Sequence, residues 1–288
     1  METVSARPSK KTLSRDILRA PCLARLKWLA HGFSTREDGS LGFTEEATPA
    51  TVRRNRAKFV RAVAGGEKKA PELITLKQIH SDLIHRVDAP PKAALQGDGL
   101  ITNVPGLLLS IQTADCLPIL LVDPKHRAVG AFHAGWRGTL ARIAEKGVGL
   151  MQRHFGSRAP DLVAAIGPGI HACCYQVGRE VRERFESQFD YAGDLFREVQ
   201  ESDPVREKYP LLFLTARAPG HGELAPRIYL DLVKANLRQL KDAGVRAANI
   251  HASPLCTACR ADLLFSHRAE KGKTGRMLGV IGIRRVGT

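Results

Sequence analysis

Between Leu107 and Gly138 short aliphatic runs alternate with polar punctuation. Residues 107–111, 117–122 and 127–132 are rich in Leu, Ile, Val and Ala. That length and composition predicts three strands, each buried on both faces. Asp123-Pro124 is a turn signal, so the second and third strands are expected to form a hairpin. The period then changes. Leu140, Ile143, Ala144, Gly147, Val148 and Met151 recur at helical spacing and predict a helix from about 139 to 154.

The same reading extends along the chain. Residues 1–26 are basic, broken by Pro8 and Pro21 and without period, and predict a flexible arm. Residues 31–33 read as a strand running into a glycine-bearing loop. Val52, Phe59, Val60 and Val63 predict a helix over 51–63, ended by Gly65-Gly66. Strands are expected over 73–78, 83–87, 100–102, 162–166, 249–252 and 278–283. Helices are expected over 177–189 and along Leu230, Val233, Leu237 and Leu240, the latter ending near Gly244. Residues 201–226 carry the least pattern and read as loops. Irregular alternation of strands and helices predicts an α/β fold: a single layered domain over residues 27–288, with a mixed β-sheet core flanked by helices.

No apolar run approaches the ~18 residues of a membrane span, and the basic N-terminus lacks the apolar core of a secretory signal; a cytoplasmic protein without a membrane partner is expected. The net charge of +15 is concentrated at the two ends, with an excess of five in residues 1–27 and another five in 264–288. Such a balance suits nucleic acid, an anionic substrate or a solvated surface. Aromatics are only 6%, with no stacking platform, zinc-finger spacing or basic zipper, so nucleic acid is not the expected partner. The six cysteines, in a chain this long and unsignalled, point to thiols or metal ligands rather than disulfides.

His80, Cys116 and His133 stand at strand ends or in adjoining loops, where a rigid scaffold presents chemistry to solvent. One thiolate and two imidazoles suit a tetrahedral zinc ion with its fourth position open. Gaps of 36 and 17 residues match no ligand repeat, so spacing alone leaves open two hydrogen-bonded histidines beside a buried thiol. A metal-free Cys116/His133 nucleophile pair is a further reading. Gln78 and Asp115, next in sequence, suit hydrogen bonds to such ligands. Arg36, Arg56, Arg137, Arg268 and Arg276 lie near glycine- or serine-bearing turns, and a guanidinium fork suits phosphate or carboxylate. Arg137, between Gly135 and Gly138 at a predicted helix start, is the best-placed anion seat; a tight turn is the plain alternative.

A second set imitates a deaminase zinc motif: His221-Gly-Glu223 with Cys256-Thr-Ala-Cys259. Leu255 interrupts its Pro-Cys-x-x-Cys form, and the stretch from Pro219 to Pro226 cannot open the helix it needs. Cys256 and Cys259 also lack the βαβ context of a redox dithiol and read as structural thiols, with Cys173 and Cys174 simply buried.

Taken together, several blocks resemble the YfiH-like family, also called the polyphenol oxidase or laccase-domain family. They are His31-Gly-Phe-Ser-Thr-Arg36, Gln78-Ile-His80, Gly97-Asp-Gly-Leu-Ile-Thr102, Thr113-Ala-Asp-Cys-Leu-Pro118 and Phe132-His-Ala-Gly-Trp-Arg-Gly138. Ile166-Gly-Pro-Gly169, Cys174-Tyr-Gln-Val177, Cys256-Thr257, Phe265-Ser-His-Arg268 and Thr274-Gly-Arg276 complete the set. The resemblance implies that His80, Cys116 and His133 are catalytic zinc ligands. It implies phosphorolysis of adenosine, inosine, guanosine and methylthioadenosine, with adenosine deamination; purine nucleosides and phosphate are then the partners, and the chain a monomer or homodimer. Some members are described as copper polyphenol oxidases and some as peptidoglycan-editing factors. A multi-copper site needs many more histidines, and the ten here contain no His-x-His pair, so zinc is expected over copper. The candidate substrate-binding residues are Arg36, Asn55, Arg56, Gln78, Asp98, Asp115, Arg137, Ser266 and Arg268. Two blocks depart from the family: its Arg-x-Gly-Gly loop is Arg36-Glu-Asp-Gly39 here, and its Phe-Ser-Tyr-Arg-Arg block is Phe265-Ser-His-Arg-Ala269.

Overall fold

The structure, a computed structural model, describes residues 17–45, 47–200, 208 and 225–285. In chain order its elements are α1 (Pro21–Ala24), β1 (Leu29–Phe33), α2 (Pro49–Ala64), β2 (Glu72–Ile74), β3 (Leu76–Lys77), β4 (Ile84–Arg86), β5 (Leu95–Gln96) and β6 (Gly99–Thr102). There follow β7 (Leu107–Thr113), β8 (Leu117–Asp123), β9 (Ala128–Ala134), α3 (Trp136–Leu140), α4 (Ile143–Phe155), β10 (Val163–Ile166), β11 (Gln176–Val177) and α5 (Arg179–Glu186). The last are β12 (Phe196–Val199), β13 (Arg227–Leu230), α6 (Leu232–Asp242), β14 (Ile250–Ala252) and β15 (Met277–Ile283).

Two mixed sheets stack on one another. One runs β14-β10-β8-β9-β6-β4 and the other β1-β15-β7-β2. Strands β8 and β9 form the expected hairpin, registered from Leu117 opposite Ala134 to Asp123 opposite Ala128. Successive side chains point to opposite faces, so each central strand feeds two cores. Leu120, Val122, Val129 and Ala131 meet Leu109, Ile111 and Ile281 between the sheets. Ile119, Leu121 and Phe132 face the other way, under Ile143, Val148 and Met151 of α4 and Ala235 and Leu240 of α6. The outer face of the second sheet, through Leu108, Leu278 and Val280, is covered by Phe59, Val60 and Val63 of α2. The layers are helix, sheet, sheet, helix, which is why the aliphatic runs show no alternation.

Local signals set the helix ends. Thr48 caps α2 by accepting from the Thr51 N–H, Pro49 opens it, and Gly65 in the left-handed region ends it. Asp231 caps α6 through the Lys234 N–H at 2.8 Å, so Leu230 belongs to the preceding strand rather than to the helix.

Several expectations are corrected. The helix expected over 139–154 is two helices broken at Arg142, whose φ is 62°. Gln239 of α6 donates to the Thr139 carbonyl and Asn236 to its hydroxyl, holding the break; the period survives because both pieces cover the same core. The helix over 177–189 is shorter, since Val177 pairs in β11 with β13. The arm expected to run to residue 26 is already part of the fold over its last residues: Leu18 bridges Phe33, Arg19 donates to the His31 carbonyl, and Leu23 is fully buried. Residues 1–16, and the His221/Glu223 motif, lie outside the described residues. Among the described residues no helix is long and apolar enough to cross a membrane.

Candidate metal centre and the cleft around it

Strand pairing brings the three candidate ligands together. His133 lies opposite Pro118 in the β8–β9 register, which puts it beside Cys116 at the head of β8. His80 arrives from the β3–β4 loop, its ring centroid 5.0 Å from that of His133. One ligand atom from each of His80, Cys116 and His133 lies within 4.8 Å of the other two. His133 is buried and His80 exposed, so the group sits at the bottom of an opening.

Asp98, fully buried between β5 and β6, organises both histidines. One carboxylate oxygen lies 2.8 Å from His133 Nδ1 and accepts from the His80 backbone N–H at 3.1 Å; the other accepts from Ser81 N–H and Oγ at 2.6 and 2.8 Å. Three successive N–H groups, those of Ile79, His80 and Ser81, are thus gathered on one carboxylate. That wrapping holds His80 in the left-handed region, φ 58°, which a non-glycine residue occupies only when its surroundings over-determine it.

The charges reinforce the geometry. Burial pushes the Cys116 thiol up, but the His133 and His80 imidazoles outweigh it and hold it at about 6. Burial pushes His133 down, and the Cys116 thiolate and Asp98 outweigh that, raising it to about 9. Burial also opposes ionisation of Asp98, yet its bonds from His133 and Ser81 bring it to about 2. The charges thus favour the Cys116 thiolate, the form a metal ligand requires, and a bound cation would take the place of the proton that the same pairing favours on His133.

These residues fit a metal ion. With Nδ1 engaged by Asp98, Nε2 is the His133 nitrogen left to ligate, an arrangement that fixes ring orientation at many metal sites. Gly135 leaves room for the sulfur: a Cβ there would stand 2.8 Å from Cys116 Sγ. A Cys/His/His set leaves a tetrahedral ion one open position.

The centre opens into a cleft of about 630 Å³. Of the nine candidate substrate residues, Gln78, Asp115, Arg137 and Arg268 line it; Arg36, Asn55, Arg56, Asp98 and Ser266 do not. The reasons are visible in their partners. Arg36 pairs with Glu270 at 2.8 Å and lies over the Phe265 ring. Asn55 and Arg56 donate to the carbonyls of Ser40 and Leu41, tying α2 to the segment before it. Asp115 borders the cleft, but its carboxylate accepts from Thr257 Oγ1, Ser266 Oγ and the Arg268 N–H at 2.6, 2.7 and 2.7 Å. Both ends of the Gln78 amide bond the Gln112 backbone. Arg137 and Arg268 are exposed and keep guanidinium surface in the opening, Arg137 4.3 Å over the Trp136 ring and Arg268 bonded to the Gln176 carbonyl.

Residues 30–284 match the family model described as multi-copper polyphenol oxidoreductase laccase. The chain belongs to that family. It is 34% identical over 281 residues to a purine nucleoside phosphorylase of Deinococcus radiodurans, a match spanning 93% of both chains. It is also 34% identical over 214 residues to the adenosine deaminase RL5 of an unidentified prokaryote, covering 71% of this chain and 72% of that one. Its backbone is similar to the crystal structure of the Bacillus licheniformis hypothetical protein YfiH, with TM-score 0.76 and 30% identity over 90% of this chain and 94% of that one.

In this family member the cleft also contains Arg276, one of the five arginines read as suited to an anion, and four residues that were not singled out as site residues: Phe43, Trp136, Tyr175 and His267. Tyr175 and Trp136 fall inside motif blocks, so the signal was present. His267 replaces the tyrosine of the family pattern and faces the cleft. Phe43, 56% exposed, carried no signal except being a large apolar residue in a loop.

Proposed function

We propose that this chain is a zinc-dependent purine nucleoside phosphorylase that also deaminates adenosine, with His80, Cys116 and His133 as the zinc ligands. The observation that carries the reading is their convergence, with Asp98 behind them, at the bottom of a cleft that offers both cationic and aromatic side chains. The names of the Deinococcus relative and of RL5 support the same two activities. When bound, zinc supplies Lewis acidity at its open position.

Phosphorolysis needs an anion placed against the ribose carbon and a purine able to leave. Arg137 and Arg268 offer charge-assisted hydrogen bonds to phosphate oxygens. Trp136, Tyr175 and Phe43 offer faces on which a purine stacks. Burial, and then the charge of Cys116, push the Tyr175 hydroxyl well above its ordinary value, so it keeps its proton and can donate to a ring nitrogen of the departing base. Asp98 keeps the His133 ring oriented throughout.

The test is phosphate-dependent hypoxanthine release from inosine, and inosine formation from adenosine, with metal analysis distinguishing zinc from copper. Cys116→Ala is expected to lose about one metal ion per chain together with both activities. Undiminished turnover in a variant that has lost this metal would overturn the reading.

A further inference from the structure

A second group of metal-ligating side chains lies outside the cleft. Cys173 and Cys174, on the loop between β10 and β11, meet Cys256 and Cys259, on the loop between β14 and β15, with all four sulfurs within 4.8 Å of one another. Cys259 Sγ is 3.4 Å from both Cys173 Sγ and Cys174 Sγ. Four sulfurs about 2.3 Å from a shared zinc ion stand about 3.8 Å apart, so the cluster is already near the size of a tetrathiolate.

We infer that these four cysteines form a structural zinc site, separate from the His80/Cys116/His133 centre, that staples the two loops together. Sequence spacing alone did not reveal it, because its halves are more than eighty residues apart and one half is two adjacent cysteines.

Two further features support a cation here. The Cys256-x-x-Cys259 segment folds so that the backbone N–H groups of Ala258 and Cys259 point at Cys256 Sγ, and the His171 N–H reaches the same sulfur at 3.5 Å. Donors aimed at one sulfur stabilise its thiolate. A divalent ion held by four thiolates displaces to solvent whatever protons the sulfurs still carry and leaves a net charge of −2 on the centre. Finally, the site lies where a closed structural ion has something to hold. Cys256 bridges Gly169, and Thr257 N–H donates to the Gly169 carbonyl at 2.9 Å. Tyr175 follows Cys174 directly, and Arg268, from the second loop, donates to the Gln176 carbonyl at 2.6 Å. The stapled loops thus deliver Tyr175 and Arg268 to one wall of the cleft.

The experiment measures zinc in the full chain purified with reductant, in Cys116→Ala, and in Cys116→Ala combined with Cys256→Ala. Cys116→Ala is expected to keep about one zinc per chain and the double variant none. Cobalt loaded into Cys116→Ala is expected to give an intense sulfur-to-cobalt charge-transfer band. Cys173 is exposed, so Cys116→Ala with Cys173→Ala serves if the buried Cys256 cannot be replaced without unfolding; its zinc should pass to a chelator at least about tenfold faster. Three results would overturn the proposal: a Cys116→Ala protein without zinc or a cobalt–thiolate band, zinc retention indifferent to both cysteine substitutions, or a Cys173–Cys259 or Cys174–Cys259 disulfide in the zinc-loaded protein.

Discussion

Asp98 and His133 are joined twice: the carboxylate meets His133 Nδ1 at 2.8 Å, and the Asp98 carbonyl accepts the His133 backbone N–H at 2.7 Å. The double link locks both the ring and the strand that carries it. Because the same carboxylate takes the His80 N–H, one buried residue sets two of three candidate ligands. Replacing it with the isosteric amide, Asp98→Asn, keeps the shape but turns an acceptor into a donor facing other donors. Metal affinity, measured by chelator competition, is expected to fall about 10- to 100-fold. Unchanged affinity would mean that Asp98 supports the loop and not the ligands.

Gly135→Ala separates space from backbone strain. Gly135 has φ −78°, which alanine adopts freely, yet the added Cβ would stand 2.8 Å from Cys116 Sγ. The expected cost in stability is about 1–3 kcal/mol, as for other overpacked sites, with metal affinity lowered at least about tenfold. Thermal melting and chelator competition on the same preparation check both. Loss of stability with metal affinity unchanged would show that the sulfur yields without leaving its place.

Arg137→Ala tests the anion seat. Its guanidinium lies over Trp136 in the opening, available to a phosphate oxygen. Removing a hydrogen bond to a charged group costs about 1.5–3 kcal/mol, so KM for phosphate is expected to rise about tenfold or more, with metal content unaltered. A normal phosphate KM would transfer the role to Arg268 or Arg276.

His31 gives the fold an acid-sensitive point away from the cleft. It is 1% exposed on β1, and burial, then the Arg19 charge, lower it from 6.5 to about 4. Between those values the unfolded chain binds the proton more tightly than the folded one. Stability from this residue is therefore complete above about pH 6.5 and is lost as pH falls towards 4, by about 2–3 kcal/mol. Urea unfolding across that range should show a shallower decline for His31→Gln; an unchanged slope would place the acid sensitivity elsewhere.

Much of this was legible from the chain alone. Residues 107–134 carry runs that become β7, β8 and β9 with little change, and the Asp123-Pro124 turn joins the last two, because pairing adjacent strands needs only local information. Cys116 and His133 could be nominated because they sit at the ends of those strands. The tertiary structure decided what depends on distant partners. Arg36 and Arg56 have the same kind of sequence neighbourhood as Arg137, but Glu270 and the Leu41 carbonyl, brought in by folding, occupy them. The 139–154 period hides a break made by Asn236 and Gln239 of another helix. Asp98 is nominated from its sequence block only as a substrate contact, and pairing of β6 with β9 places it instead under His133. Periodicity records which face of an element is buried; which polar groups then meet is a property of non-local packing, and the candidate metal centre and the four-cysteine cluster are both built from it.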